Sequence, residues 1–338
     1  MAKIRFEEFE DIEQIGNGTV GTVYRAVRTS TGQTVAIKLL LPAASHDKQI
    51  SARFEREMVI LERLNHPNIV NYYGGGIHGG QLFYAMELVE GGSLRDVLTR
   101  NGSITWDEAV ECGWQVCSAL QHAHNHGVIH RDLKPANLFL SNDGVVKLGD
   151  FGIALDLQTS SNITATGLTV GSYMYMSPEQ IRGQTVTNQT DLYALGCLLF
   201  EMLTGQPPFP GQNFAHIFDQ HLHTPPPPAN SLNAECPEQL ESIINQLLQK
   251  APDDRPFNAR AVQGMLAEVM IDFDIKRDGE QSKFDASQVA GSKVLSSLLT
   301  AERATNQQEE ASWTQIISTF AFAAVIVFIA WYAQNGDK

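Results

Sequence analysis

The chain has 338 residues, 43% of them hydrophobic, which is enough to bury a sizeable core in one large domain or in two smaller ones with appendages. Its 38 acidic and 24 basic residues leave a formal charge of −14, which argues against a general phosphate-backbone binder, because such proteins present a basic face; nucleic acid is not an expected partner. Cys112, Cys117, Cys197 and Cys236 form no CxxC pair and read as buried thiols of a reducing compartment.

The opening stretch, "MAKIRFEEFEDIEQIG", lacks the continuous apolar core of a signal peptide. Up to about Leu88 the pattern favours strands: "GTVYRAVR", "QTVAIKLL" and "QLFYAMELV" are broken by one helical stretch, "KQISARFEREMVILERLN". The stretch "IGNGTVGTVY" holds a GxGxxG that joins two strand-like runs instead of opening a helix, so the dinucleotide fingerprint does not apply. What remains is a glycine-rich hairpin. Its bare positions Gly16, Gly18 and Gly21 let backbone N–H groups approach an anion such as phosphate. Lys38 follows in "VAIK", and an apolar strand seldom turns a lysine inward without a partner; Glu57, on the helical stretch, is the natural one.

After Ser93 the longer periodic segments "TWDEAVECGWQVCSALQHAHNHG", "DLYALGCLLFEMLTG" and "QLESIINQLLQ" predict helices. The expected fold is therefore α+β, a small strand-rich lobe followed by a larger helical one, with a small-molecule cleft at the joint. "TPPPP", from Thr224 to Pro228, reads as a stiff connector between two helical segments, against the alternative of a polyproline ligand.

Near residue 270 the composition turns polar and small-residue-rich, as in a juxtamembrane linker. From Ile316 to Ala333, "IISTFAFAAVIVFIAWYA" runs eighteen residues without a charge, flanked by Trp313 on one side and carrying Trp331 and Tyr332 at the other. At about 1.5 Å per residue that length approaches the roughly 30 Å of a bilayer's hydrocarbon layer, and the flanking rings suit its two interfaces. The expected organisation is a globular domain over 9–268, a linker over 269–314, a transmembrane helix over 315–333 and a tail over 334–338.

With the glycine-rich hairpin, "VAIK", "HRDLKPAN" and "DFG" in this order, followed by "SPE" and "DDRP", the chain over about 9–268 resembles the protein kinases. "VGSYMYMSPEQ", "DLYALGCLLFEMLTGQPPF" and the single apolar run look most like bacterial serine/threonine kinases of the eukaryotic-like (Hanks) type. The resemblance implies the bilobal protein-kinase fold, ATP with Mg2+ (or Mn2+ in its place), and protein substrates with Ser/Thr acceptors. It also implies the site. The hairpin Ile15, Gly16, Asn17, Gly18, Thr19, Val20, Gly21, Thr22 and Val23 would cover the nucleotide. The adenine would lie between Val23 and Ala36 above and Phe139 below, against the backbone of Met86, Glu87, Leu88 and Val89. Lys38, oriented by Glu57, would contact the α/β-phosphates, while Asp150 and Asn137 would hold the metal. Asp132 would accept the proton of the substrate hydroxyl, and Lys134 would face the γ-phosphate, as in kinases that phosphorylate serine or threonine. Asp191 and Arg255 match positions that brace the catalytic loop and pair with Glu179.

Three departures from that pattern stand out: Gly171-Ser172-Tyr173 in place of "GTP", "SPE" in place of "APE", and Gly149 before "DFG". Ser172 keeps a hydroxyl for substrate docking beside Asp132 and Lys134. Family-like placement of His124 and His130 favours structural histidines over a metal site in "HAHNHGVIH". Arg131, with Arg53, would bind a phosphate on the loop "TSSNITATGLTVGS", at Thr164 or Thr166, with Thr169 as runner-up. Autophosphorylation in trans is compatible with a homodimer. Because ATP is cytosolic, the domain is expected on the cytoplasmic side of a cell membrane that the last helix spans once. A pseudokinase scaffold and a small-molecule phosphotransferase are the alternatives from other classes; the first would not need the complete set of ionic residues, the second would not need the peptide-docking stretch.

Overall fold

The computed structural model of the chain describes residues 3–17, 21–42, 54, 58–151, 173–278 and 295. An antiparallel five-stranded sheet comes first, built from β1 (Phe9–Asn17), β2 (Gly21–Arg28), β3 (Gln33–Leu40), β4 (Tyr72–His78) and β5 (Gln81–Glu87), in the order β1-β2-β3-β5-β4. β3 is the middle strand, and Val35, Ala36, Ile37 and Lys38 are all buried there, which is why "TVAIK" reads as a continuous apolar run. Val35 and Ile37 join Ile4, Phe9, Ala26, Phe83 and Ala85 in a core on one face. Since side chains alternate along a strand, Ala36 and Lys38 of β3, with Tyr84 and Met86 of β5, share the opposite face. That face looks into the cleft.

Helices dominate the rest. α1 (Leu94–Asn101) and α2 (Trp106–Asn125) each begin with a reciprocal cap: Ser93 with Asp96, and Thr105 with Glu108. A two-stranded ribbon, β6 (Leu138–Leu140) and β7 (Val146–Leu148), follows the catalytic-loop sequence. Then come α3 (Pro178–Ile181), α4 (Asn188–Thr204), α5 (Phe214–His223), α6 (Glu238–Leu247) and α7 (Ala259–Asp278). α4 is buried on every side, from Thr190 through Leu203, and forms the axis of this half. Gly113 lets α2 come close to it: a Cβ there would lie 2.9 Å from Leu199 of α4 and 3.2 Å from Leu266 of α7.

The helix α7 runs on through residue 268, where the sequence places the domain's end, to Asp278. "TPPPP" connects α5 to the short turn Ala229–Ser231 that precedes α6. All four cysteines are buried and unpaired, and burial pushes the thiols of Cys112 and Cys236 up to about 12 and about 11. The apolar run 316–333 lies outside the described residues; among those described, no helix is long and apolar enough to cross a membrane.

Two histidines are built in as neutral groups. Burial, and then the charge of Lys250, lowers His221 to about 3, although its ring meets the Tyr193 hydroxyl at 2.8 Å. Burial, then His122 and Lys147, lowers His66 to about 4; its Nδ1 accepts the Asn68 N–H at 3.1 Å. In the unfolded chain both titrate near pH 6.5. Below that pH the unfolded state binds protons that the folded state refuses, so their contribution is complete above about pH 6.5 and declines on acidification towards about pH 4 for His66 and about pH 3 for His221. His221 alone adds a slope of up to about 1.4 kcal/mol per pH unit. Urea denaturation should therefore give a lower midpoint at pH 5 than at pH 7, and His221→Asn should flatten the difference; equal midpoints at the two pH values would contradict this account.

Candidate active site between the sheet and the helices

The catalytic-loop sequence is held from below by one buried carboxylate. Asp191, in the first turn of α4, accepts the backbone N–H groups of His130 and Arg131, both at 2.8 Å, and Nε2–H of His124 at 2.8 Å. Burial alone would raise its pKa; the His124 hydrogen bond and charge, with His130 and the Arg131 amide, hold it below the usual carboxylate range. These bonds fix a strained backbone, because Arg131 adopts φ +66°, a left-handed conformation that costs a non-glycine residue about 1–2 kcal/mol. The Arg131 carbonyl is fastened in turn by Gln180 Nε2 of α3 at 2.9 Å.

His130 has the role of a bolt. Its Nε2 donates to the Gly149 carbonyl at 2.9 Å and its Nδ1 accepts the Asp132 N–H at 3.3 Å, which joins the loop to the segment before Asp150. His124 and His130 are thus structural, as their positions imply. Beyond the bolt, the Asp132 carboxylate accepts Lys134 Nζ at 2.7 Å. Asn137 Nδ2 donates both to the Asp132 carbonyl, 2.7 Å, and to its carboxylate, 3.1 Å, while the Asn137 carbonyl accepts Gly149 N–H at 3.0 Å. With Nδ2 turned to Asp132, Oδ1 of Asn137 is left as an acceptor.

On the sheet side, Lys38 Nζ reaches Asp150 Oδ2 at 2.7 Å, and the Tyr84 hydroxyl donates to Asp150 Oδ1 at 3.0 Å. Burial would raise the Asp150 pKa, but the charge and hydrogen bond of Lys38, the Tyr84 bond and the Lys134 charge lower it, so the carboxylate is ionised at neutral pH. Carboxylate and amide oxygens are the hard donors a magnesium ion prefers, so Asp150 and Asn137 fit that ion. Glu57, the partner expected for Lys38, lies outside the described residues; the described partner is Asp150.

Of the residues expected around the nucleotide, Val23, Ala36 and Met86 lie on the cleft side of the sheet. Val23 is the register partner of Lys38, and Ala36 that of Met86. Glu87 is locked: its N–H donates to the Asn71 carbonyl at 2.8 Å, and its carboxylate takes Asn71 Nδ2 at 2.9 Å and Lys147 at 3.0 Å. Ile15 is 49% exposed above the cleft, an apolar side chain without a protein neighbour to bury it. The two described glycines of the hairpin differ in purpose. A Cβ on Gly16 would meet nothing within 4 Å, so that position is open to a ligand, whereas one on Gly21 would lie 2.2 Å from the Leu39 carbonyl, so Gly21 is bare to let β2 lie on β3. Gly18, Thr19, Val20, Thr164, Thr166, Thr169 and Ser172 lie outside the described residues.

Two of the three departures have physical reasons. Ser177 caps α3, accepting Gln180 N–H at 3.3 Å while Gln180 Oε1 accepts Ser177 N–H at 3.1 Å. Next to it, Glu179 forms a buried two-pronged pair with Arg255, 2.8 and 2.9 Å, and accepts the Thr190 hydroxyl at 2.8 Å. Gly149 is demanded by Phe139: a Cβ at 149 would lie 2.8 Å from the Phe139 ring and 3.1 Å from Val70. Tyr84 and Gln180 are the site residues that sequence reasoning missed. The hint for Tyr84 was a phenol on a buried strand, which ordinarily needs a partner for its hydroxyl.

Residues 9–266 match the family described as "Protein kinase domain". Over 282 residues, 83% of this chain, the sequence is 38% identical to the probable serine/threonine-protein kinase PknB of Lactococcus lactis, and over 273 residues, 81% of the chain, 38% identical to the serine/threonine-protein kinase PrkC of Bacillus subtilis. The matches span 44% and 42% of those relatives' own lengths. The crystal structure of the Mycobacterium tuberculosis PknI kinase domain, in a point-mutant form, superposes with a TM-score of 0.62 at 26% identity, covering 79% of this chain and 98% of that one.

Gly149→Ala should push the Phe139 ring towards the space expected for adenine, raising the KM for ATP on the order of tenfold, about 1.4 kcal/mol, with little change in kcat. Adding Phe139→Leu should relieve the crowding. Steady-state kinetics at varied ATP check both; a KM that stays at the wild-type value in Gly149→Ala would remove Phe139 from the floor of the pocket.

Proposed function

Because the chain belongs to the protein kinase family, among the bacterial serine/threonine kinases, we propose that its domain transfers the γ-phosphate of ATP to serine or threonine hydroxyls of proteins, its own loop included. Protein kinase domains in general use ATP and a divalent metal. The observation that carries the reading is the double hold of Asn137, which ties the Asp132 carboxylate to the segment leading into Asp150 and so keeps two carboxylates, each with its own lysine, in one site. A scaffold without catalysis has no need of such an arrangement.

Each group then has a task. Asp132 orients the acceptor hydroxyl and takes its proton as the oxygen forms a bond to the γ-phosphorus and the bond to the ADP oxygen breaks. Lys134, 2.7 Å from Asp132, neutralises charge gathering on the transferred group. Lys38 stands ready to hand its ammonium from Asp150 to the α/β-phosphates, with Glu57 as its expected second partner. The Glu87 carbonyl and the backbone of Leu88 and Val89 supply the adenine contacts, since Glu87 N–H is already engaged by Asn71. Asp150 and Asn137 would hold magnesium, or manganese, which when bound would supply charge screening for the phosphates. Thr164, Thr166 and Thr169 are the proposed phosphate acceptors of the loop, and Ser172 the docking hydroxyl.

Asp132→Asn should bind ATP nearly as wild type does and lose a factor on the order of 10² to 10⁴ in turnover. Purified wild type incubated with labelled ATP and magnesium should phosphorylate both a generic protein substrate and peptides containing Thr164, Thr166 or Thr169, while Asp132→Asn should label neither. Wild-type turnover in the variant would remove Asp132 from the mechanism.

The eighteen-residue apolar run 316–333 supports a single-pass anchor, with the domain on the side that holds ATP. A chain ending at about Asn306 should be soluble and active; recovery of the full-length chain in the soluble fraction of a detergent-free lysate would refute the anchor.

A further inference from the structure

The mechanism above leaves one polar group in the centre of the site unused. Tyr84 is 2% exposed, sits opposite Lys38 in the β3–β5 register and is flanked by the rings of Phe54 and Tyr72, at 6.4 and 5.8 Å between centroids. Strand alternation sends its side chain to the cleft face, and its hydroxyl ends 3.0 Å from Asp150 Oδ1. A phenol, which ordinarily ionises only near pH 10, is a donor to that carboxylate at neutral pH. Asp150 needs holding. It takes φ +49°, a left-handed backbone conformation, and a carboxylate offers about four lone-pair positions that can point in different directions.

We propose that Tyr84 is a positioning residue for the metal site, its hydroxyl fixing Oδ1 of Asp150 so that the carboxylate keeps the orientation required to bind the divalent cation. Asp150 has two described donors, and they differ in permanence. Lys38 is an ammonium that the phosphates of ATP compete for; Tyr84 has no such competitor. Once Lys38 turns to the nucleotide, the phenol remains to hold the carboxylate. Partners of this kind, which orient a ligating side chain without touching the metal, typically govern 10- to 100-fold in metal affinity.

The inference rests on Asp150 as the metal ligand, and the test separates the two. Mn2+ binding to the full-length chain with a non-hydrolysable ATP analogue is followed by the electron paramagnetic resonance of free Mn2+, for wild type, Tyr84→Phe and Asp150→Asn. Analogue affinity in EDTA and thermal unfolding are measured alongside. Tyr84→Phe removes a single oxygen and keeps the ring, so it should melt close to wild type and bind the analogue in EDTA equally well, while its Mn2+ dissociation constant rises about 10- to 100-fold and the Mg2+ concentration needed for half-maximal turnover rises with it. If Asp150→Asn weakens Mn2+ binding and Tyr84→Phe does not, the role given to Tyr84 is overturned. Equal losses of metal binding and metal-free analogue binding in Tyr84→Phe would also overturn it, as damage to packing. If Asp150→Asn leaves Mn2+ binding intact, the metal site itself has been misassigned and the proposal falls with it.

Discussion

The site depends first on the acceptance of three N–H donors by Asp191. A carboxylate with no exposure is tolerable only when its lone pairs are occupied, and here His124, His130 and Arg131 occupy them. Each bond to an ionised acceptor is about twice as strong as a neutral one, which offsets the strain of the left-handed turn at Arg131. From that turn the chain of dependence is continuous. His130 is placed to bridge Asp132 N–H and the Gly149 carbonyl; Asn137 binds Asp132 and the Gly149 amide; Asp150 follows directly and meets Lys38 and Tyr84. The helix α4 that carries Asp191 is buried all round, so the clamp stands on a helix packed on every side.

Much of this was legible in the sequence because it is local. "VAIK" reads as an apolar strand with one cation turned inward, and Lys38 is that cation. "HRDLKPAN" packs an acid, a base and an amide into one loop, and the structure joins all three side chains. The reciprocal caps of α1 and α2 follow from residues three apart. What was not legible depends on pairings distant in sequence. Gly16 and Gly21 look alike in the string, yet one is open and the other is pressed against Leu39 because β2 lies on β3. Gly149 looks like a departure from the family until the Phe139 ring is seen filling the space of its absent side chain. Tyr84 joins Asp150 across 66 positions, a contact set by strand register and lobe placement, which no periodicity encodes. The apolar run 316–333, strongest of all in the sequence, is a matter of composition, and the described residues do not reach it.

The pair between Glu179 and Arg255 has a consequence for how the protein is made. The two residues are 76 positions apart, and Arg255 is held by the carbonyls of Gln189, Gln249 and Lys250 as well as by Glu179. A chain growing from its N-terminus has every residue of the cleft available long before Arg255 emerges. Until then Glu179 has the Thr190 hydroxyl but no counter-charge, and a buried carboxylate without its cation costs about 3–5 kcal/mol. The same short helix α3 steadies the Arg131 carbonyl through Gln180, so the counter-charge of Glu179 and the support of the loop meet in one element. A fragment that stops short of Arg255 therefore leaves Glu179 without its counter-charge, although it contains Lys38, Asp132, Asn137 and Asp150.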